Sequence, residues 1–570
     1  MNVSVGQNKP TETDFVTQLG GASDPELAFT LLSELLDATA LVSGERLALV
    51  HNDLRLTWKE VADRSRDLAK AMLANGICKG ENVALWLPNH PAWLIHWLAA
   101  VRIGAVVVPI NTRYKPSEAA YILSKSEAVT LVIEKQFGDI DFTESFKAIC
   151  PDWDGKKSAK MPNLRNVILL DGEEEGMQAF EEFADQAERV SDVDLAVATA
   201  KLRTDDIIII VFTSGTTGYP KGVMHSHNAI RMMKAVTDWM GLGPDDRVLG
   251  HLPLFHVAGV FSSFLPAMIS GGALVQLDQW EPKKALQLIA NEKISVFSGV
   301  PTHFIDLLGH PELENFNVSS LRTGWIGGSD IPAEVFSGAS NKLGMHALLP
   351  VYGMTELTST TTLGRLNDTL ERRAAGKGVP LGGYDVVVVN PETRQKLPSG
   401  TEGEIAVRGY TVMTGYYRDA AATAAVLDED GWFYSGDLGI FDSSGYLSIT
   451  GRLSDKFIVG GNNVHPADIE REVIDHPKVK QAYVVARPDA RLGQVAVVFV
   501  EPVAGVDLTA LEIIEYCQSR LASFKVPNDV IFVEAWPITP TGKVQRFKLR
   551  EIAELTQQKT RKQTEEMKND

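Results

Sequence analysis

The chain has 570 residues, 44% hydrophobic and 22% charged, a globular composition too long for one core, so two or more domains are expected. Its 55 basic against 73 acidic side chains leave a formal charge of −18, which argues against a general nucleic-acid binder, although a local basic pocket for an anion is compatible with it. Three scattered cysteines, Cys78, Cys150 and Cys517, make neither a disulfide framework nor a metal site. No apolar signal opens residues 1–25, the longest aliphatic run is IIIIVF, and the terminal KND is not a peroxisomal address, so a cytoplasmic protein without a transmembrane segment is expected.

Residues 1–27 read as a loose tail. From about residue 30, helical and strand periodicities alternate. Residues 56–77, LTWKEVADRSRDLAKAMLANGI, space apolar side chains for a helix ending at Gly76, and NVALWLP (82–88) reads as a strand. HPAWLIHWLAAVRIGAVVVPI then gives a helix and a further strand. This βα alternation predicts an α/β fold of layered subdomains with mostly parallel sheets. The polar stretches 149–163 and 171–178 read as solvated, turn-rich insertions.

After residue 453 the texture changes. Helix PADIEREVIDHP, strands VKQAYVVARP and GQVAVVFVEP, and helix LTALEIIEYCQSRLA describe a small α+β domain, 454–552, set off from the large domain 28–453. A charged tail, 553–570, is expected to fray.

Chemistry concentrates in a few motifs. In DDIIIIVFTSGTTGYPKGVMHSH (205–227) a β-branched strand runs into Thr213, Ser214, Gly215, Thr216, Thr217 and Gly218, with Lys221 beyond. Glycines let consecutive N–H groups turn toward one anion, hydroxyls add donors without bulk, and the lysine adds charge. The stretch is read as a phosphate loop between a buried strand and a helix. In VYGMTE, Tyr352 offers a flat ring for a base, Thr355 a hydroxyl for a phosphate oxygen, and Glu356 a hard oxygen ligand for Mg²⁺. Asp437 in YSGDLG follows a glycine, where an Asp standing alone is most often a turn residue. Lys543 in PTGKVQR resembles the end of a Walker A loop but lacks the upstream glycine and the following Ser or Thr; it is a surface lysine or a phosphate-seeking one whose cradle lies elsewhere. His256 is ambiguous alone, and the His225/His227 pair reads as a surface pair at a helix start.

TSGTTGYPKG, LPLFHVAG, GGSD, VYGMTE, GEIAVRG, YSGDLG, GRLSDKFIVGGNNVHPADIE and PTGKVQR follow one another in this order. Together they resemble the adenylate-forming enzymes, which include acyl-CoA synthetases, luciferases and peptide-synthetase adenylation domains, over nearly the whole chain. The resemblance implies a large adenylating domain and a small mobile one. It places Gly328 and Ser329 against adenine, Asp437 on two ribose hydroxyls with Arg452 on the other side of the sugar, His256 at the mouth of an acyl pocket, Lys543 over the phosphate loop during adenylation, and a hinge at Ser454. It also places Gly460 and Gly461 beside the pantetheine arm of coenzyme A. Ser454 departs from the Asp or Lys of many relatives.

The implied reaction joins a carboxylic acid to ATP, with Mg²⁺, and then to coenzyme A. The implied acyl walls are Val257, Ser298, Gly299, Trp325, Ile326 and Gly353. They are mostly apolar, and a glycine at 353 leaves room where acetate-specific relatives hold tryptophan. A medium or long acyl chain, or an aryl or polycyclic side-chain acid, is therefore expected. A different acceptor or a non-catalytic nucleotide-binding protein are the alternatives; a homodimer is an allowed assembly.

Overall fold

The structure, a computed structural model, describes residues 30–213, 220–328, 331–375, 378–460, 462–489, 491–538 and 544–556. The terminal segments expected to be loose lie largely outside them, as do Ser214, Gly215, Thr216, Thr217, Gly218, Ser329, Gly461 and Lys543. The chain divides into two compact units, Met1–Val386 with Val407–Phe433, and Val387–Ala406 with Tyr434–Asp570.

The first unit is built on two sheets. In the eight-stranded one, Val106–Pro109, Asn82–Trp86, Thr130–Ile133 and Asn166–Leu169 lie side by side and parallel. Their side chains are buried almost throughout, as strands covered on both faces require. Ile207–Thr213 joins beside Val106–Pro109. The second sheet runs through Leu54–Thr57, Leu47–His51, Ala273–Gln276 and Arg247–Gly250. Parallel bridges at Val248–Val296, Val296–Thr323 and Gly299–Ile326 carry it on to Thr323–Gly327 and Ala347–Tyr352.

Three apolar clusters fill the layers. One draws on both sheets, with Leu49, Leu274, Leu85 and Val107, and on helix Pro91–Ile103. The second covers the outer face of the eight-stranded sheet and the third the outer face of the other. Local signals set the helices that fill them. Thr57 accepts the Glu60 N–H while Glu60 reaches back to the Thr57 N–H, starting helix Trp58–Ala74. Gly104, with φ of 76°, ends helix Pro91–Ile103.

In the second unit, Asn462–Val464, Phe457–Val459, Gly493–Pro502 and Val479–Asp489 make an antiparallel sheet, and Asp529–Phe532 pairs parallel to Gly493–Pro502. Asp385–Val389, Gly403–Arg408, Trp432–Phe441 and Leu447–Arg452 form a separate four-stranded sheet. Ser454 lies in a short turn, Leu453–Asp455, directly after it. At the far end, residues 546–556 are helical and Ala553 is fully buried, so the packed part of the chain extends past residue 552. No described helix is long and apolar enough to cross a membrane.

Candidate active site

The strand leading into the glycine-rich loop meets a strand on the other side of it. Ile207–Thr213 pairs antiparallel with Lys221–Ser226, Thr213 opposite Lys221, so residues 214–219 connect the arms of a hairpin and the helix starts only at Ala229. This corrects the expectation of a strand-to-helix loop. The GVMHS run extends the ladder in place of a helix start.

Lys221 stands at the start of the returning arm, its Nζ 5.0 Å from the centre of the Tyr416 ring. Tyr416 belongs to the two-residue strand Gly415–Tyr416, paired through Val223. Its hydroxyl donates to Glu356 Oε1 at 3.0 Å. Burial, and then the Glu356 charge, push the phenol pKa up, so this hydroxyl stays a donor. The Glu356 carbonyl accepts the Met413 N–H at 2.8 Å. Lys221, Tyr416 and Glu356 thus form one group, assembled from three distant stretches. The sequence signals Tyr416 only by its place in TGYYRD, shortly after GEIAVRG.

Thr355 adjoins this group and is held from below. His225 Nε2 donates to the Thr355 carbonyl at 2.8 Å, and its ring meets Phe261 edge-on at 5.4 Å. His225 is 2% exposed, and burial lowers its pKa to about 4. His227 is equally buried, and its Nδ1 accepts the Leu32 N–H at 2.9 Å. The two are core residues that position backbone, not the surface pair expected.

Tyr352 ends strand Ala347–Tyr352, half-buried. The expected room at Gly353 is absent: a Cβ there would come within 1.9 Å of the Ser359 carbonyl oxygen. Thr358 and Ser359 both adopt positive φ, folding their backbone against the glycine. Gly353 is therefore required by a close backbone approach, and its bareness says nothing of acyl size.

The expected acyl walls separate across a sheet. Trp325 and Ile326 are consecutive on strand Thr323–Gly327, so they point to opposite faces. Trp325 joins the cluster holding Val257, Val296 and Leu349, whereas Ile326 packs with Phe297, Leu249 and Leu348. Gly299 turns toward the second side as well, where a Cβ would meet His303 Nδ1 at 2.6 Å. Ile326 and Gly299 hence do not share a wall with Trp325. Ser298 stays with it, its Oγ accepting the Trp325 N–H at 3.1 Å.

His256 opens the helical segment that begins with Val257–Gly259, its Nδ1 accepting the Ala258 N–H at 3.3 Å. Gly328 is exposed, with φ of 87°.

In the second unit, Asp437 and Arg452 face each other across adjacent antiparallel strands, with Arg452 Nε 2.8 Å from Asp437 Oδ1. Glu404, buried nearby, takes the Gly436 N–H on Oε1 at 3.0 Å and Arg394 on Oε2 at 2.8 Å. Burial, and to a smaller extent the neighbouring Asp437 charge, raise its pKa. Glu404 lies within GEIAVRG, a contiguous run that gives no local sign of these contacts.

Ile538 and Val544 form an antiparallel bridge bracketing 539–543. Arg546, two residues on, is clamped by Glu470 through contacts of 2.6 and 2.9 Å. Arg546 is thereby tied to helix Pro466–Ile474. Gly460 has φ of 53° and donates its N–H to the Leu492 carbonyl.

A family model described as AMP-binding enzyme matches residues 36–417, and one for the AMP-binding enzyme C-terminal domain matches 468–543. YngI of Bacillus subtilis (strain 168), named as an acyl-CoA synthetase, is 35% identical over 92% of this chain and 97% of its own. The mitochondrial medium-chain acyl-CoA ligase ACSF2 of Mus musculus is 32% identical over 96% and 92%. A Rhodococcus jostii (strain RHA1) CoA ligase, named for a methyl-dioxo-octahydro-indenyl propanoyl group, is 33% identical over 92% and 98%. The chain belongs to the AMP-binding enzyme family and is acyl-CoA synthetase-like.

Proposed function

We propose that this AMP-binding enzyme is an acyl-CoA ligase. It couples a carboxylic acid to the α-phosphate of ATP with release of pyrophosphate, then passes the acyl group to the thiol of coenzyme A with release of AMP. Full-length likeness to named acyl-CoA ligases carries this reading. Adenylation is needed because a carboxylate would otherwise have to expel oxide.

The residues divide the work by their chemistry. Thr213 through Gly218 and Lys221 cradle the triphosphate. Tyr352, Gly328 and Ser329 take the adenine; Asp437, oriented by Arg452, takes the ribose. Thr355 bonds a phosphate oxygen. Mg²⁺, when bound, would supply charge neutralisation at the phosphates, and Glu356 would hold it: its carboxylate has one oxygen fixed by Tyr416. A single carboxylate beside substrate phosphates is the usual protein share of a Mg²⁺–nucleotide site. Lys543 neutralises charge building at the α-phosphorus while holding the carboxylate in line. His256 guards the acyl entrance, with Val257, Ser298 and Trp325 as walls. Rotation at Ser454 then exchanges Lys543 for Gly460 and Gly461, which admit pantetheine. The acid is a medium or long acyl chain or an aryl or polycyclic side-chain acid, and the cysteine usage fits a cytoplasmic setting.

Pyrophosphate release with ATP and Mg²⁺, run over a panel of carboxylic acids with and without coenzyme A, tests the reading. Acid-dependent release that becomes sustained only with coenzyme A is the expected result. Turnover indifferent to coenzyme A points to another acceptor, and silence across the panel to a binding protein.

A further inference from the structure

We propose that the acid activated here carries an oxygen acceptor, such as a ketone or ether oxygen, on an otherwise apolar body, and that the Trp325 indole N–H recognises it. The inference rests on the acyl-ligase reading and narrows its substrate.

Trp325 is 7% exposed. Its main chain is engaged on both sides, the N–H with Ser298 Oγ at 3.1 Å and the carbonyl with the Gly299 N–H at 2.9 Å. Trp325 therefore sits on a fixed strand and belongs to the apolar cluster that also holds Val257, Val296 and Leu349. Its Nε1 is buried and has no hydrogen-bond partner. Buried indoles normally find one. Elsewhere in this chain Trp58 donates to the Gly272 carbonyl, Trp86 to Asn111, Trp97 to Ile208 and Trp239 to Gly364, at 2.7–3.1 Å.

Trp93 is the other described tryptophan with a buried, unpartnered Nε1. It lies on helix Pro91–Ile103, every residue of which except Ala92 is buried. Trp325 differs by its place: it neighbours Ser298 and stands three residues before Gly328, beside residues of the proposed acyl and adenine sites. A donor left unmade in an apolar wall penalises a bound hydrocarbon, because the N–H stays desolvated without a partner. An acid that brings an oxygen to it removes that penalty. A site with one such donor selects for the oxygen by roughly 10- to 100-fold in kcat/KM.

The test compares pyrophosphate release, with coenzyme A, for matched acids: decanoic against oxodecanoic acid, and an indane-propanoic against an indanone-propanoic acid. Each pair is run with the native enzyme and Trp325→Phe, which keeps a ring but removes the donor. The native enzyme should prefer the oxygenated partner, and the preference ratio should fall roughly 10-fold or more in the variant. Equal use of both partners, or a preference that survives Trp325→Phe, overturns the inference and leaves the ligase reading intact. Failure of every acid defeats the ligase reading itself. Should the variant not fold, ¹⁵N-indole spectra of the native enzyme decide: one indole N–H resonance should move downfield with the oxygenated acid and not with its hydrocarbon partner. Identical spectra overturn the inference.

Discussion

Tyr416 donates its hydroxyl to Glu356 Oε1 at 3.0 Å, linking residues 60 positions apart, while Lys221 Nζ lies 5.0 Å from the centre of the same ring. The phenol therefore fixes the carboxylate proposed to serve Mg²⁺ and braces Lys221, the lysine that follows the glycine-rich loop. Tyr416→Phe keeps the ring and removes the hydrogen bond. Adenylation should fall roughly 10-fold, with about 1 kcal/mol lost in stability. A raised Mg²⁺ requirement in pyrophosphate assays, with the Lys221 contact preserved, distinguishes loss of carboxylate positioning from general damage.

Lys543→Ala should lower adenylation roughly 10²- to 10³-fold, the scale of one transition-state donor, while thioester formation from preformed acyl-adenylate persists. Single-turnover assays of the two half-reactions measure this; an equal fall in both would contradict the assigned role.

Gly353→Ala places a methyl group against the Ser359 carbonyl oxygen, 1.9 Å away before relaxation. Because the obstacle is backbone, the loop carrying Thr358 and Ser359 must shift, at a cost of roughly 1–3 kcal/mol. A lowered midpoint in urea, together with weaker ATP binding, is expected. If the substitution instead only changed the preferred acyl length, the packing argument would fail.

Burial holds His90, His96, His225, His227 and His303 at about 4. Unfolded, each titrates near 6.5, so between these values the unfolded chain binds more protons and stability must rise with pH. The contribution is complete above about 6.5 and is lost as pH falls toward 4, with a limiting slope on the order of 1.4 kcal/mol per pH unit for each group. Glu134, raised to about 7 by burial, opposes this with one group between about 4.5 and 7. Urea unfolding at several pH values should show the net loss on acidification, and His225→Phe should flatten the slope.

The alternation of helix and strand was legible because buried parallel strands are continuous apolar runs, and the capping pair Thr57–Glu60 and the terminator Gly104 act within a few residues. The motifs were legible as well, since each is contiguous. What misled was local likeness. The run after the glycine-rich loop contains small and polar residues compatible with a helix start, and its pairing with Ile207–Thr213 depends on a strand seen only once the hairpin closes. Tyr416 was invisible for a related reason: its partner Glu356 is distant in sequence, and a lone tyrosine gives no sign of what it reaches.

Family, fold class and the order of chemical motifs were thus determined by the sequence alone, through short-range periodicity and contiguous residue patterns. The tertiary structure decided on which side of a sheet each residue stands. Trp325 and Ile326, adjacent and both apolar, enter different cores, and Gly353 is bare because distant backbone lies against it. Alternation fixes that neighbouring side chains point apart, but only the packing of other layers against the two faces determines which one meets a substrate and which one is core.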